Sequence, residues 1–290
     1  MESNEVEPES AEATCYYAPA ESPEGADGDG WEYFVPTSAT VSVWAPDIQH
    51  GGPPTGLLVR SMERLVDDDA LAFSRVTADI LGAVGLGLGR VRATVTRPGR
   101  QISMLAAELQ VQGPDGNFRT AVRASAWLLR RSDASAVERI PQPPLPAPES
   151  LPHSVGFTEI GGEAVAWGRI GFIGTLSVAV VPGRNGTTPA FWLRPELPLV
   201  GGEETTELQS LFTVVDVANG VGSVLSPMEW TWMNTDTTVH LVAPPRGRWL
   251  GVDSAMAAGR EGYGASLADL YTVDGFVGRS AQTVLLTHNG

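Results

Sequence analysis

The chain has 290 residues, room for one large domain or two ordinary ones, and at 42% hydrophobic residues with a mean hydropathy of −0.02 it reads as a soluble globular protein. Of the net charge of −15, nine acids without a base fall in the first thirty residues, which leaves −6 for the body, and no basic stripe invites nucleic acid. All 19 basic residues are Arg, which excludes the Lys-dependent chemistry of P-loops and Schiff bases, and no apolar run reaches the ~18 residues of a membrane span.

Residues 1–30 read as an acidic, disordered tail. They carry no apolar core of a secretory signal, so a cytoplasmic location is expected. Cys15, the single cysteine, lies in that tail, which excludes a disulfide within one chain and argues against a catalytic thiol.

Order is expected from Trp31. Residues 31–46 read as two short strands rich in aromatic and β-branched side chains. A helix follows over 50–65, with Leu58, Met62 and Leu65 on one stripe and Pro53 and Pro54 in its first turn. Strands are predicted at 71–81, 88–97, 101–112 and 118–130, separated by Gly85, Gly87 and Gly89, by Pro98-Gly99 and by Pro114-Asp115-Gly116. This makes a first unit of 31–131. Six prolines between Pro141 and Pro152 mark 132–163 as a linker.

The second unit, 164–290, repeats the order. Strands at 164–181 and 188–194 precede a helix at 203–223 and strands at 237–243, 248–257, 263–272 and 276–287. Residues 92–129 lie over 253–286, with Gly99-Arg100 on Gly259-Arg260 and Asp115-Gly116 on Asp274-Gly275. The chain therefore reads as an internal duplication offset by about 160 residues.

A long helix wrapped by a curved antiparallel sheet is the hot-dog arrangement, and two copies give an α+β double hot-dog. The stretches QHGGPPTGLL (49–58), TVHLVAPP (238–245) and GRSAQTVLL (278–286) resemble the acyl-CoA thioesterase II-like superfamily, across about 35–288. The resemblance implies hydrolysis of acyl-CoA thioesters without a covalent intermediate. It implies an Asp at the start of a second-repeat strand, a Gln on the last strand and a Thr holding the attacking water. The matching positions are Asp236 and Gln282. The Thr position falls on Ala255, a departure that leaves Ser254, Thr237 or Thr238 to compensate.

Alternation along the strand puts Asp236, Thr238 and His240 on one face and Val239 and Leu241 toward the helix. Asp236 is then either a solvated strand entrance or the general base. Gln282, in an otherwise small or apolar strand, either faces outward or serves the site. Gly51 and Gly52 open the first helix, where free N–H groups suit a polarised carbonyl, and His50 adjoins them. Asp216 and Asn219-Gly220 occupy the corresponding region of the second copy, where a local polar role is expected. Trp192, Trp230 and Trp232 read as core.

No G-x-S-x-G elbow supports a serine hydrolase, and the four His residues lack metal-ligand spacing. No cofactor or metal is expected. The expected partners are an acyl-CoA substrate and further copies of the chain, as a dimer or tetramer. Two alternatives stay open: a non-catalytic acyl-thioester binding protein, and a hot-dog enoyl-CoA hydratase built on His50 or His240.

Overall fold

The computed structural model describes residues 13–23, 30–160, 163–182 and 188–289. The chain opens with β1 (Tyr17–Ala20) and β2 (Glu32–Pro36), then helix α1 (Gly52–Glu63). Four long strands follow: β3 (Leu71–Ile80), β4 (Gly89–Arg97), β5 (Ile102–Gln112) and β6 (Phe118–Arg130). Short strands β7 (His153–Val155), β8 (Glu159–Ile160) and β9 (Glu163–Ala164) lead to β10 (Leu176–Val181) and β11 (Ala190–Pro195). Helix α2 (Glu207–Val214) runs through a 3-10 turn, Val215–Val217, into α3 (Ala218–Val221). The last strands are β12 (Trp230–Asn234), β13 (Asp236–Leu241), β14 (Leu250–Ala258), β15 (Tyr263–Thr272) and β16 (Gly275–His288).

One 14-stranded sheet takes the order β1-β2-β4-β5-β6-β3-β13-β16-β15-β14-β11-β10-β7, with β12 also paired to β16. Its strand pairings are antiparallel. The two sequence halves join in its middle, where β3 pairs β13 from Asp79↔Asp236 to Arg75↔His240. The hairpins β5–β6 and β15–β16 both turn on a left-handed glycine after an acid, Gly116 (φ 78°) and Gly275 (φ 121°), a conformation that a side chain would strain.

The helices lie against one face of the sheet. Helix α1 is buried from Gly52 through Met62, and it runs antiparallel to α2. Arg60 at one end pairs with Glu203 at 2.6 Å, and Glu63 accepts from Gln209 Nε2 at 2.7 Å. At the other end Gly52 and Gly56 are pressed onto Thr213: a Cβ on Gly52 would run into its backbone oxygen, and one on Gly56 into its hydroxyl. Bare backbone at these two positions lets the helices approach this closely.

Three expectations need correction. Residues 13–23 are not tail: β1 pairs with β2, and Cys15, Tyr16 and Tyr17 are buried. The apolar island CYYAPA carries enough burial to order itself within an acidic window. The rest of the expected tail, 1–12 and 24–29, lies outside the described residues. The proline-rich 132–163 stretch does not hang free. Leu145 packs on Trp192, Trp249 and Tyr271, and Trp192 Nε1 donates to the Pro146 carbonyl at 2.8 Å. Since Phe191 and Leu193 face the main core, alternation puts Trp192 on the opposite face, which the linker covers. Lastly, β12 was not anticipated, and 41–46 and 164–175 hold no long strand.

Candidate active site

Within α2 and its continuation, Asp216 is the one carboxylate among apolar residues (Leu211 to Val221), and it is 3% exposed. A capping box fixes the start of α2: Thr206 accepts from the Gln209 N–H, and the Gln209 side chain returns to the Thr206 N–H. The helix tightens to 3-10 geometry at Val215–Val217, an irregularity often found at functional positions. The Asp216 carbonyl there accepts from Gln282 Nε2 at 3.1 Å.

The strand opposite carries a β-bulge. Asn234 pairs with Val284, whereas Thr238 pairs with Ala281, so the two registers differ by one residue and Thr235 is the extra one. A bulge flips alternation across itself. Asn234 before it and Thr237 after it therefore both point to the helices. Asn234 Nδ2 donates to Asp216 Oδ1 at 2.6 Å, and Thr237 Oγ1 donates to the same oxygen at 3.4 Å. Gln282 Nε2 donates to Thr237 Oγ1 at 3.0 Å, and Asn219 Nδ2 to Asn234 Oδ1 at 3.0 Å.

The first half supplies the other side. His50 Nδ1 stands 3.1 Å from Asp216 Oδ2, and its ring packs on Phe172 at 4.7 Å between centroids. A carboxylate only accepts, so Nδ1 carries the proton in this bond. The Gly52 N–H, 3.3 Å from the same nitrogen, then has no acceptor there. Gly51 is also sterically required, because a Cβ on it would lie 2.8 Å from Asp216 Oδ2. Burial by itself would raise the Asp216 carboxyl, but the bonds and charge from His50, with Asn234 and Thr237, outweigh it and hold the group below its ordinary value. Asp216 is thus an ionised carboxylate at neutral pH.

A cleft of 360 Å³ opens over this group, bordered by His50, Gly51, Asp216, Asn219 and Asn234 and walled by apolar residues such as Ile80 and Met233. It joins the N-terminus of α1 to the 3-10 turn, so each half of the sequence contributes one side.

The structure brings His50, Gly51, Gly52, Thr237 and Gln282 to this centre, with Asp216 and Asn219, and leaves Asp236, Thr238, Ser254 and His240 elsewhere. Asp236 faces away: its Oδ1 accepts from the Thr283 N–H at 2.9 Å, and it lies beside Asp79 on the outer surface of the sheet. Thr238 shares that outer face, with its hydroxyl 3.1 Å from Thr77 Oγ1. Ser254 is buried on the inner face but is occupied by the helix, donating to the Ala218 carbonyl at 2.8 Å and meeting Ser266 Oγ at 3.0 Å. His240 is exposed. The missed residues are Asn234 and the central role of Asp216. A lone acid in the apolar run SLFTVVDVANGV was the available signal; the bulge that admits Asn234 left none.

Residues 40–129 match the family model described as the acyl-CoA thioesterase N-terminal domain, and residues 141–286 match that of the C-terminal domain. Among curated proteins no match is found. A protein of unknown function with a hot-dog fold from Alicyclobacillus acidocaldarius is similar in structure at a TM-score of 0.68 and 13% identity, over 90% of this chain and 94% of that one. An acyl-CoA thioesterase II, TesB2, from Mycobacterium marinum is similar at a TM-score of 0.62 and 16% identity, over 90% and 93%. The TesB protein of Mycobacterium avium subspecies paratuberculosis gives 0.59 and 13%, over 90% and 94%. At these identities the likeness is one of fold, and that fold is the hot-dog. No helix among the described residues is long and apolar enough to cross a membrane.

Proposed function

From the membership of this chain in the acyl-CoA thioesterase family, we propose that it hydrolyses acyl-CoA thioesters at the Asp216 centre, with water as the nucleophile. The two halves are read as tandem hot-dog units, one around α1 and one around α2, and the recurring acid-glycine hairpins support this. One observation carries the catalytic reading: a buried, ionised carboxylate borders the cleft and is held by donors from both halves.

A thioester needs a base for the attacking water and a donor for the developing oxyanion. It needs little help at the leaving group, because a thiol ionises near pH 8.5. Asp216 takes the proton as the water oxygen bonds to the carbonyl carbon. The tetrahedral intermediate then collapses, the C–S bond breaks and the thiolate of CoA departs. General-base assistance of this kind contributes roughly 10²–10⁴-fold. The N–H of Gly51, at the positive end of α1 and bordering the cleft, is assigned to the oxyanion.

Gln282 and Thr237 do not border the cleft. They stand behind Asp216 and fix its backbone and carboxylate, so they are positioning residues. Asn234 holds Oδ1 and His50 holds Oδ2, which leaves the carboxylate one defined direction for accepting the water's proton. Release of free thiol from a panel of acyl-CoAs, compared between the native chain and Asp216→Asn, tests the proposal; equal release by both refutes it.

The Asp216–His50 contact gives the hydratase alternative its acid–base pair. It is the second reading because the two groups are bonded to each other, with no place between them for a double bond. Loss of enoyl-CoA absorbance on mixing would favour it.

A further inference from the structure

Resting on the thioesterase reading, we infer that an aromatic constriction beside α3, made by Trp44, Trp167 and Phe157, sets the length of acyl chain that the site accepts, and that the native protein prefers short chains. Two spaces flank α3. One is the 360 Å³ cleft over Asp216. The other is a 560 Å³ pocket on the far side of α3, lined by apolar Phe157, Val178 and Phe191 and by polar Thr158, Glu159 and Thr188.

Between them lies a slot of only 20 Å³. Its lining overlaps both neighbours: it shares Trp44, His50 and Asn219 with the cleft, and Phe157, Gly220 and Val221 with the cavity. The slot is therefore the passage from one to the other. Its volume is on the order of a single water site, too small for a run of methylenes.

The geometry assigns the two arms of a thioester bound at Asp216. The large, charged CoA moiety must stay in solvent, so it leaves by the open cleft. The acyl arm then turns inward past His50 and Asn219, where apolar surface is already withdrawn from water. Trp44 and Trp167 meet edge to face at 5.3 Å, and Trp44 is braced by Trp232 at 5.2 Å. Phe157 is braced by Phe191 at 5.6 Å. Ring-on-ring packing makes the stop stiff.

Gly220 supports the same path independently. It sits within α3, where Gly is disfavoured relative to Ala by roughly 0.5–1 kcal/mol. Yet a Cβ there would meet no atom within 4 Å, so protein packing does not demand it. Its bare surface borders the slot and the cavity, as a channel floor requires.

The test uses non-hydrolysable thioether analogues of butyryl-CoA and dodecanoyl-CoA, with binding measured by calorimetry. The native protein is expected to bind the butyryl analogue more tightly. In Trp167→Ala the dodecanoyl-to-butyryl affinity ratio should rise, by roughly tenfold for every two methylenes newly buried. Gly220→Leu, whose Cβ meets no atom within 4 Å, adds bulk at the passage and should move the ratio the other way for hexanoyl against acetyl analogues. A native preference for dodecanoyl, or an unchanged ratio in both variants, overturns the inference. Length-selective binding without turnover of the matching thioesters would retire the hydrolase reading and leave the constriction standing.

Discussion

His50 Nδ1 lies 3.1 Å from Asp216 Oδ2, a contact between residues at the N-terminus of the first-half helix and in the irregular turn of the second-half helix. Each half supplies one side of the contact. In the first half, the strand positions that pair across β3 and β6 behind α1 are Val76, Ala78, Ala124 and Ala126, all apolar and buried. The candidate site thus lies at the junction of the two sequence halves.

Replacing His50 by Leu removes the donor at Oδ2 and the ring packed on Phe172. The expected result is a fall in kcat of roughly 10²-fold, the scale of one lost polar group at a reacting centre, with stability lower by about 1–3 kcal/mol because Oδ2 stays buried without its donor. Full activity in His50→Leu would show that Oδ2 needs no partner.

Gln282→Met deletes the donor to both Thr237 Oγ1 and the Asp216 carbonyl. The carbonyl and hydroxyl stay buried without it, so stability should drop by about 1–3 kcal/mol. Because Gln282 positions rather than touches substrate, kcat should fall while KM stays within about threefold. Urea titration and steady-state kinetics on the same preparation read both.

Gly52→Ala places a methyl against the Thr213 backbone oxygen, an atom that cannot swing aside. Forced separation of α1 and α2 should destabilise the protein by about 1–3 kcal/mol. Thermal unfolding of this variant at an unchanged midpoint would contradict the close helix contact.

The depressed Asp216 carboxyl links folding to pH. Its folded value lies below the unfolded one, near 3.9, so the folded state binds fewer protons. The stabilisation is present above the unfolded value and is lost as pH falls through the folded one. Asp216→Asn should therefore lose less stability than the native chain as pH falls below about 4. Parallel acid denaturation curves would show that Asp216 has no such link.

Most of the sheet was legible because its long strands alternate and end at glycine turns: β5 and β15 were read to within a residue or two, and α1 was read from its stripe and its prolines. Gln282 was legible as an amide in a strand of small and apolar residues. The choice between Asp216 and Asp236 was not. Strict alternation puts Asn234 and Asp236 on one face. The extra residue Thr235 moves Asp236 outside while keeping Asn234 inside, and a one-residue bulge has no compositional mark. Asp216 was visible as a lone acid in an apolar helix, but nothing local tells that its partners come from His50 and from a strand beyond it. The ordering of 13–23 was hidden because a thirty-residue average of charge drowned a six-residue apolar island.

The most direct measurement compares Asp216→Asn with Asp236→Asn in thiol release from acyl-CoAs. Asp216→Asn should lose roughly 10²-fold or more in kcat, and Asp236→Asn, on the outer face, should stay within about twofold of native, with stability changed by no more than about 0.5 kcal/mol. The opposite pattern, with Asp236→Asn inactive and Asp216→Asn active, would contradict the assignment of the site.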